Sequence, residues 1–121
     1  MTSILLIEDD IQLQRLLCQI LISEGYEVQN TCNGNEGISC FHETPADLVI
    51  TDIIMPEKTG LDIISELISA YPGVKIIAMS GGARAGIKLL NMAKTLGAKQ
   101  TLRKPFTRSE LIAAVQAVLD S

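Results

Sequence analysis

The sequence predicts an α/β protein built on a doubly wound, five-stranded parallel sheet. Short runs rich in Ile, Leu and Val alternate with longer segments of helical period along the whole chain. Strict alternation of strand and helix favours a parallel sheet with right-handed crossovers and helices on both faces. At 121 residues the chain has the size of one domain, so we expect a single unit over residues 1–121.

The first two strand–helix units occupy the N-terminal third of the chain. Residues 3–7 are an apolar run typical of a buried strand, and apolar residues then recur at helical spacing until Gly25 ends the helix. Residues 26–30 alternate in polarity like a strand near a sheet edge. Asn33-Gly34 predicts a turn, and a short helix follows over residues 36–42.

The third and fourth units are the most apolar. Residues 47–50 are nearly all apolar, as expected of a strand buried on both faces. Residues 59–70 carry an apolar stripe at helical spacing, and Tyr71-Pro72-Gly73 stops that helix. A further apolar run over residues 74–79 precedes a helix over residues 84–96.

The fifth unit begins with a weaker strand over residues 100–103. Thr107 is a predicted N-cap, and Glu110 stands three residues later, where a capping box requires an acid or an amide. The last helix is therefore expected to start after Thr107 and to run to Leu119.

Composition excludes several classes of function. Ten basic and 14 acidic residues give a net charge of −4, which lacks the basic footprint of a nucleic-acid-binding domain. Cys18, Cys32 and Cys40 have no C-x-x-C spacing, which favours a reducing compartment over a disulfide framework or a zinc site. The N-terminal apolar run is too short for a signal peptide or a membrane span. We therefore expect a cytoplasmic protein that binds neither nucleic acid nor membrane.

Polar side chains close four of the five predicted strands. They are Glu8, Asp9, Asp10, Asp52, Ser80 and Lys104. The carboxyl ends of parallel strands meet at one edge of the sheet, so these groups should converge. Two like charges about 4 Å apart repel by about 4 kcal/mol at an effective dielectric of about 20. The acids therefore need a counter-charge, which a lysine and a divalent cation such as Mg²⁺ supply.

A carboxylate beside Mg²⁺, a hydroxyl group and a lysine can accept a phosphoryl group, because the cations neutralise the transferring oxygens. Each residue alone has a structural alternative. Asp9 or Asp10 can cap the first helix, Asp52 can cap a loop or the next helix, and Ser80 can be an ordinary loop serine. Only the joint pattern favours a site.

Several motifs in order carry a family resemblance. They are Ile7-Glu8-Asp9-Asp10, Asp52 with Met55-Pro56 and Gly60, Met79-Ser80-Gly81, Leu96-Gly97-Ala98, and Lys104-Pro105-Phe106. Over essentially its whole length the chain resembles the receiver domain of two-component response regulators, of the chemotaxis-regulator-like, single-domain kind. The resemblance implies a flavodoxin-like (βα)5 fold with strand order 2-1-3-4-5. It also implies a signalling module rather than an enzyme.

The resemblance implies a metal site at the acidic strand ends. Glu8 and Asp9 would be the acidic pair of the family. Asp9 and Asp52, with the backbone carbonyl of Ile54, would hold Mg²⁺, and Glu8 would act mainly through water. Asp10 falls one place later, at the start of the helix.

The resemblance also implies a phosphoryl-transfer role. Asp52 would be the phosphoacceptor, Ser80 would bond one phosphoryl oxygen and Lys104 would pair with another. The Lys104–Pro105 peptide bond is expected to be cis, a minority state even for bonds before proline.

Partners follow from the same analogy. A histidine kinase or histidine phosphotransferase would donate the phosphoryl group, and an unidentified downstream protein would respond. The helical pattern predicts that Leu13, Leu16, Leu17 and Leu21 face the core. The outward residues Gln14, Arg15 and Cys18 would then form, together with Phe106, the surface on which the kinase docks. A plain solvated face is the alternative. The sequence leaves open whether the chain dimerises and whether it stands alone or belongs to a larger regulator.

Three positions depart from the family pattern. Thr101 stands where the family has its switch aromatic. Either the movement of Ser80 causes a smaller rearrangement, or the protein signals through another surface. Ile54 and Gly82 occupy two positions that tune loss of phosphate, and neither side chain can hydrogen-bond an attacking water. We therefore expect slow intrinsic dephosphorylation.

Other interpretations of the site and of single residues have less support from the sequence. A haloacid-dehalogenase-type hydrolase requires a second acid two residues after its nucleophile, where this chain has Ile54. A receiver-like module that transfers no phosphate is disfavoured by the full set of site residues. His42, the only histidine, lies away from the strand ends, which favours a solvated helix end over a phosphohistidine. The glycine-rich segment over residues 81–86 fits neither dinucleotide nor P-loop spacing and indicates a flexible loop.

Overall fold

A computed structural model describes residues 1–81 and 84–121, in which five strands and five helices alternate. The strands are β1 (Ser3–Ile7), β2 (Glu27–Thr31), β3 (Leu48–Asp52), β4 (Ile76–Ser80) and β5 (Gln100–Arg103). The helices are α1 (Ile11–Ser23), α2 (Gly34–Glu43), α3 (Gly60–Ala70), α4 (Arg84–Leu96) and α5 (Arg108–Leu119). Within these described ranges, no helix combines the length and apolar character needed to cross a bilayer.

The strands form one parallel sheet in the order β2-β1-β3-β4-β5, which confirms the predicted fold class. β1 pairs with β2 on one side and β3 on the other, so Ile7 lies between Thr31 and Thr51. Asp52 lies opposite Met79 on β4. The strand order reverses beside β1, and this is where doubly wound sheets bind their ligands.

Two apolar clusters fill the two faces of the sheet. Successive side chains of a strand point to opposite faces, so Leu5 and Ile7 join the cluster beneath α2, α3 and α4. Ile4 and Leu6 join the cluster beneath α1 and α5. The core is aliphatic, as predicted, with Phe41 as its buried aromatic residue.

Several element boundaries differ from their predictions. β3 extends to Asp52, so this acid is the last residue of the strand rather than a residue beyond it. Asn33, predicted to form a turn, is the N-cap of α2, and its side chain accepts the N–H of Glu36 at 2.9 Å. Asparagine serves both structures through the same side-chain oxygen, which explains the error. The capping box of Thr107 and Glu110 is confirmed.

The predicted orientation of α1 is right in part: Leu17 and Leu21 are buried and Arg15 is exposed, as expected. Three other positions contradict it. Gln14 and Cys18 are buried, whereas Leu16 is 52% exposed. The buried positions are Gln14, Leu17, Cys18 and Leu21, a stripe shifted by one residue from the predicted one. The leucine-rich sequence is compatible with both rotations of the helix. Burial of Gln14 is feasible because its amide finds backbone partners at the ends of two strands.

Candidate functional site

Three of the predicted site residues meet at the carboxyl edge of the sheet. The Lys104 Nζ atom donates to Glu8 Oε1 at 2.8 Å and to Asp52 Oδ2 at 3.1 Å. Both carboxylates are buried, with Glu8 fully inaccessible and Asp52 6% exposed. The lysine therefore supplies the counter-charge that the sequence requires there.

Asp9 completes a cluster of three acids with Glu8 and Asp52. One carboxylate oxygen of each lies within 4.8 Å of the others, and Asp9 is at least partly open to solvent. Carboxylate oxygens are the hard ligands that Mg²⁺ prefers. The donor set therefore fits a small divalent cation.

Asp10 caps α1 and also hydrogen-bonds to Glu8 of the acidic pair. Its Oδ1 atom accepts the backbone N–H groups of Gln12 and Leu13 at 3.0 and 3.2 Å. Its own N–H donates to Glu8 Oε2 at 3.2 Å. The capping alternative is thus confirmed for Asp10, one place after the acidic pair.

Ser80 ends β4 next to Lys104. Its side chain is fully buried, and its hydroxyl donates to the Gly81 carbonyl at 3.4 Å. The Ser80 carbonyl accepts the Lys104 N–H at 2.8 Å, which ties the ends of β4 and β5 together. The Lys104–Pro105 bond is cis, as expected from the family resemblance.

The glycine-rich segment that follows Ser80 has a structural role at Gly86. This residue lies in α4, and a Cβ atom there would sit 2.0 Å from the Gly81 carbonyl oxygen. Gly86 therefore allows α4 to pack closely against the backbone of Gly81. The predicted flexible loop did not include this role in helix packing. Gly82, which the dephosphorylation hypothesis invokes, lies outside the described residues.

The loop after β3 folds back against the strand end. The Gly60 N–H donates to the Ile53 carbonyl at 2.8 Å, and Glu57 adopts a left-handed backbone with φ of 67°. A Cβ atom on Gly60 would lie only 2.3 Å from the Asp52 carbonyl oxygen. The side chain of Ile54 projects from this loop and is 60% exposed. Close packing of backbone on backbone thus holds Asp52 in place.

The burial of Glu8 dominates the electrostatics of the site. Desolvation raises the pKa of Glu8 from 4.5 to about 7, with a further contribution from Asp52, although the hydrogen bond from Lys104 opposes the shift. Burial alone would lower the pKa of Lys104, but its hydrogen bond to Glu8 and the charges of both carboxylates outweigh burial and raise it. The lysine therefore stays charged, whereas Glu8 binds a proton at a higher pH than an exposed glutamate does.

Replacing Glu8 by Gln in Mg²⁺-free buffer tests this electrostatic state. A carboxyl group whose pKa rises on folding binds its proton more tightly in the folded state, so its stabilisation is full below pH 4.5 and is lost as the pH rises through about 7. Relative to Glu8→Gln, the wild type should lose about 3 kcal/mol of unfolding free energy across this window. Urea unfolding of both proteins measures the difference, and a difference independent of pH would contradict the assignment.

Sequence reasoning missed Gln14. It lies in the buried stripe of α1, and its amide donates to the backbone carbonyls of Glu8 and Thr31 at 3.2 and 3.0 Å. Apolar periodicity could not reveal it, because the leucines of the helix favoured an orientation with Gln14 outside. Thr101 lies as expected on β5, half-buried and opposite Ala78.

The fold and the site define a class of signalling domain. A family model for the response regulator receiver domain matches residues 4–116. The chain belongs to the response regulator receiver domain family, whose members are signalling modules of two-component systems. This family assignment confirms the resemblance read from the strand-end motifs and decides against the dehalogenase-type hydrolase.

Known proteins similar to the chain are regulators of this kind. It is 34% identical to the DNA-binding transcriptional regulator NtrC of Azospirillum brasilense over 98% of its own length but only 24% of that protein. It is 33% identical to the chemotaxis protein CheY of Thermotoga maritima, and the match covers 95% of both chains. The response regulator TrrA of Thermotoga maritima, solved in complex with Mg²⁺-BeF, is 31% identical with a TM-score of 0.86, covering 98% of this chain and 99% of that one. The chain thus spans about a quarter of NtrC and nearly all of the other two.

Proposed function

We propose that residues 1–121 form one receiver domain that accepts a phosphoryl group on Asp52 and then changes conformation to regulate a partner protein. The observation that carries the proposal is the Lys104 ammonium, which joins the carboxylates of Glu8 and Asp52 inside the three-acid cluster. The similar regulator TrrA, solved with Mg²⁺-BeF, supports a metal-dependent site of this kind.

In this proposal Asp9, Asp52 and the backbone carbonyl of Ile54 hold Mg²⁺, and Glu8 acts through water. Bound Mg²⁺ would neutralise negative charge on the transferring oxygens. The carboxylate of Asp9 suits direct ligation, because Asp9 is at least partly open to solvent while Glu8 is sealed from it. Glu8 instead keeps its bonds to Lys104 and to the Asp10 N–H.

The transfer step uses the other side chains of the site. A carboxylate oxygen of Asp52 attacks the phosphorus of a phosphohistidine, and the P–N bond breaks as the O–P bond forms. The imidazole leaves and takes up a proton. Ser80 donates a hydrogen bond to one phosphoryl oxygen, and Lys104 exchanges its contact with Asp52 for another phosphoryl oxygen. This exchange of partners couples phosphorylation to the ends of β4 and β5.

A small acyl phosphate in place of the kinase tests the proposal directly. Wild-type protein should incorporate labelled phosphate when Mg²⁺ is present and should incorporate none when a chelator removes it. The label should be released by hydroxylamine, which cleaves acyl phosphates. Protein that takes up no label under either condition would favour the receiver-like module without phosphate transfer.

We further propose that the phosphodonor docks on an open apolar groove beside the site. Leu13, Leu16, Leu17 and Ile20 of α1, together with Pro105 and Phe106, line this groove of about 530 Å³. Gly81 and Lys104 also border it, and Lys104 contacts Asp52, so a partner helix seated there would lie beside the site. The predicted contribution of Phe106 is retained, but the leucines of α1 replace Gln14 and Cys18, which are buried.

Replacing Ile54 by Asn should speed the loss of phosphate. The exposed isoleucine cannot hydrogen-bond a water that attacks the phosphorus, whereas an amide at that position can. A hydrogen bond worth about 1.4 kcal/mol in the transition state corresponds to a rate about tenfold higher. Release of labelled phosphate over time measures the rate.

Ile22→Asn is the matched control, because Ile22 is 58% exposed on α1, away from the strand ends. Its decay rate should equal that of the wild type. Unchanged decay in Ile54→Asn would refute the expectation that this side chain prolongs phosphorylation.

A further inference from the structure

Gln14 is a polar side chain inside the apolar stripe of α1. It is only 6% exposed, yet it lies one turn beyond the N-cap of the helix and reaches two strands. Its Nε2 atom donates to the carbonyl of Glu8 at 3.2 Å and to the carbonyl of Thr31 at 3.0 Å. A primary amide has two N–H donors, and both find acceptors here.

These bonds join the end of β1 to the end of β2. The Thr31 carbonyl also accepts the Glu8 N–H at 3.1 Å, so both backbone groups of Glu8 are held. On the other side of Asp9, the Asp10 N–H is held by Glu8 Oε2, and the Asp10 side chain caps α1. Asp9 therefore sits between two residues whose backbone positions are set by hydrogen bonds.

From this geometry we infer that Gln14 is a positioning residue for the divalent cation, acting through the backbone on either side of Asp9. The inference rests on the proposed function, because it assumes that Asp9 ligates Mg²⁺. Groups that orient metal ligands typically change metal affinity by about 10–100-fold when removed. Gln14 acts through the backbone rather than on a ligand atom, so we expect the lower end of that range.

Gln14→Met is the sharpest test, because methionine has nearly the same shape and volume but no N–H donors. Gln19→Met is the matched control, since Gln19 is an exposed residue of the same helix. Isothermal titration with Mg²⁺ should give a Kd about tenfold higher for Gln14→Met and an unchanged Kd for Gln19→Met. Urea unfolding in chelator should be run in parallel to measure stability separately from metal affinity.

The possible outcomes separate the two levels of the proposal. Folded Gln14→Met with wild-type affinity and reduced stability would show a structural role alone and would overturn the inference. Wild-type protein that binds no Mg²⁺ would overturn the proposed function together with it. If Gln14→Met does not fold, Gln14→Asn keeps the amide but shortens its reach. A wild-type Kd for Gln14→Asn would then count against positioning, and a raised Kd would support it.

Discussion

Replacing Asp52 by Asn should abolish Mg²⁺-dependent labelling by a small acyl phosphate. The amide has no carboxylate oxygen to form an acyl phosphate, and it removes one of the three acids of the cluster. Labelling should fall to background, whereas wild-type protein is labelled. Equal labelling of the two proteins would contradict the assignment of Asp52 as the phosphoacceptor.

The structure predicts that this variant stays folded. Lys104 keeps its 2.8 Å bond to Glu8, and loss of a buried charge relieves repulsion between Asp52 and Glu8. Asp47→Asn is the control at the opposite end of the same sheet, where Asp47 accepts the Ser3 N–H at 2.8 Å. It should be labelled like the wild type. Circular dichroism of all three proteins excludes unfolding as the cause of any loss.

Replacing Gly60 by Ala should destabilise the domain by about 2–4 kcal/mol. The new Cβ atom would lie 2.3 Å from the Asp52 carbonyl oxygen and 2.6 Å from the Ile53 Cα atom. Both contacts are with backbone, which cannot move aside as the tip of a flexible side chain can. Because the clash falls on Asp52 itself, labelling of the folded fraction should slow as well.

Gly73→Ala provides the comparison, because no atom lies within 4 Å of the position its Cβ would take. Its unfolding free energy should stay within about 0.5 kcal/mol of the wild type. Urea unfolding of both variants in the same buffer measures the contrast. Similar stabilities for the two alanine variants would mean that the loop after β3 does not pack on the strand end as described.

Elements with strong local signals were predicted well. β1 and α4 have the bounds that an apolar run and a glycine stop indicate, and the capping box before α5 is present. The weaker strand β5 also has its predicted bounds. Local signals failed where one residue type serves two structures, as Asn33 does. They also misplaced part of α1, because its leucine pattern permits two rotations of the helix. In the observed rotation Gln14 is buried and donates to backbone carbonyls.

The sequence by itself determined the order of the elements, the acids, hydroxyl and lysine at the strand ends, and the family. These features follow from local periodicity and from the rule that parallel strands end at one edge of a sheet. The tertiary structure alone decided that Lys104 bridges Glu8 and Asp52. It also decided that Gln14 hydrogen-bonds to the backbone next to Asp9 and that position 60 has no room for a side chain. Each of these depends on contacts between residues far apart or between loop and strand backbone. Their geometry arises only when the sheet, its helices and its loops pack together.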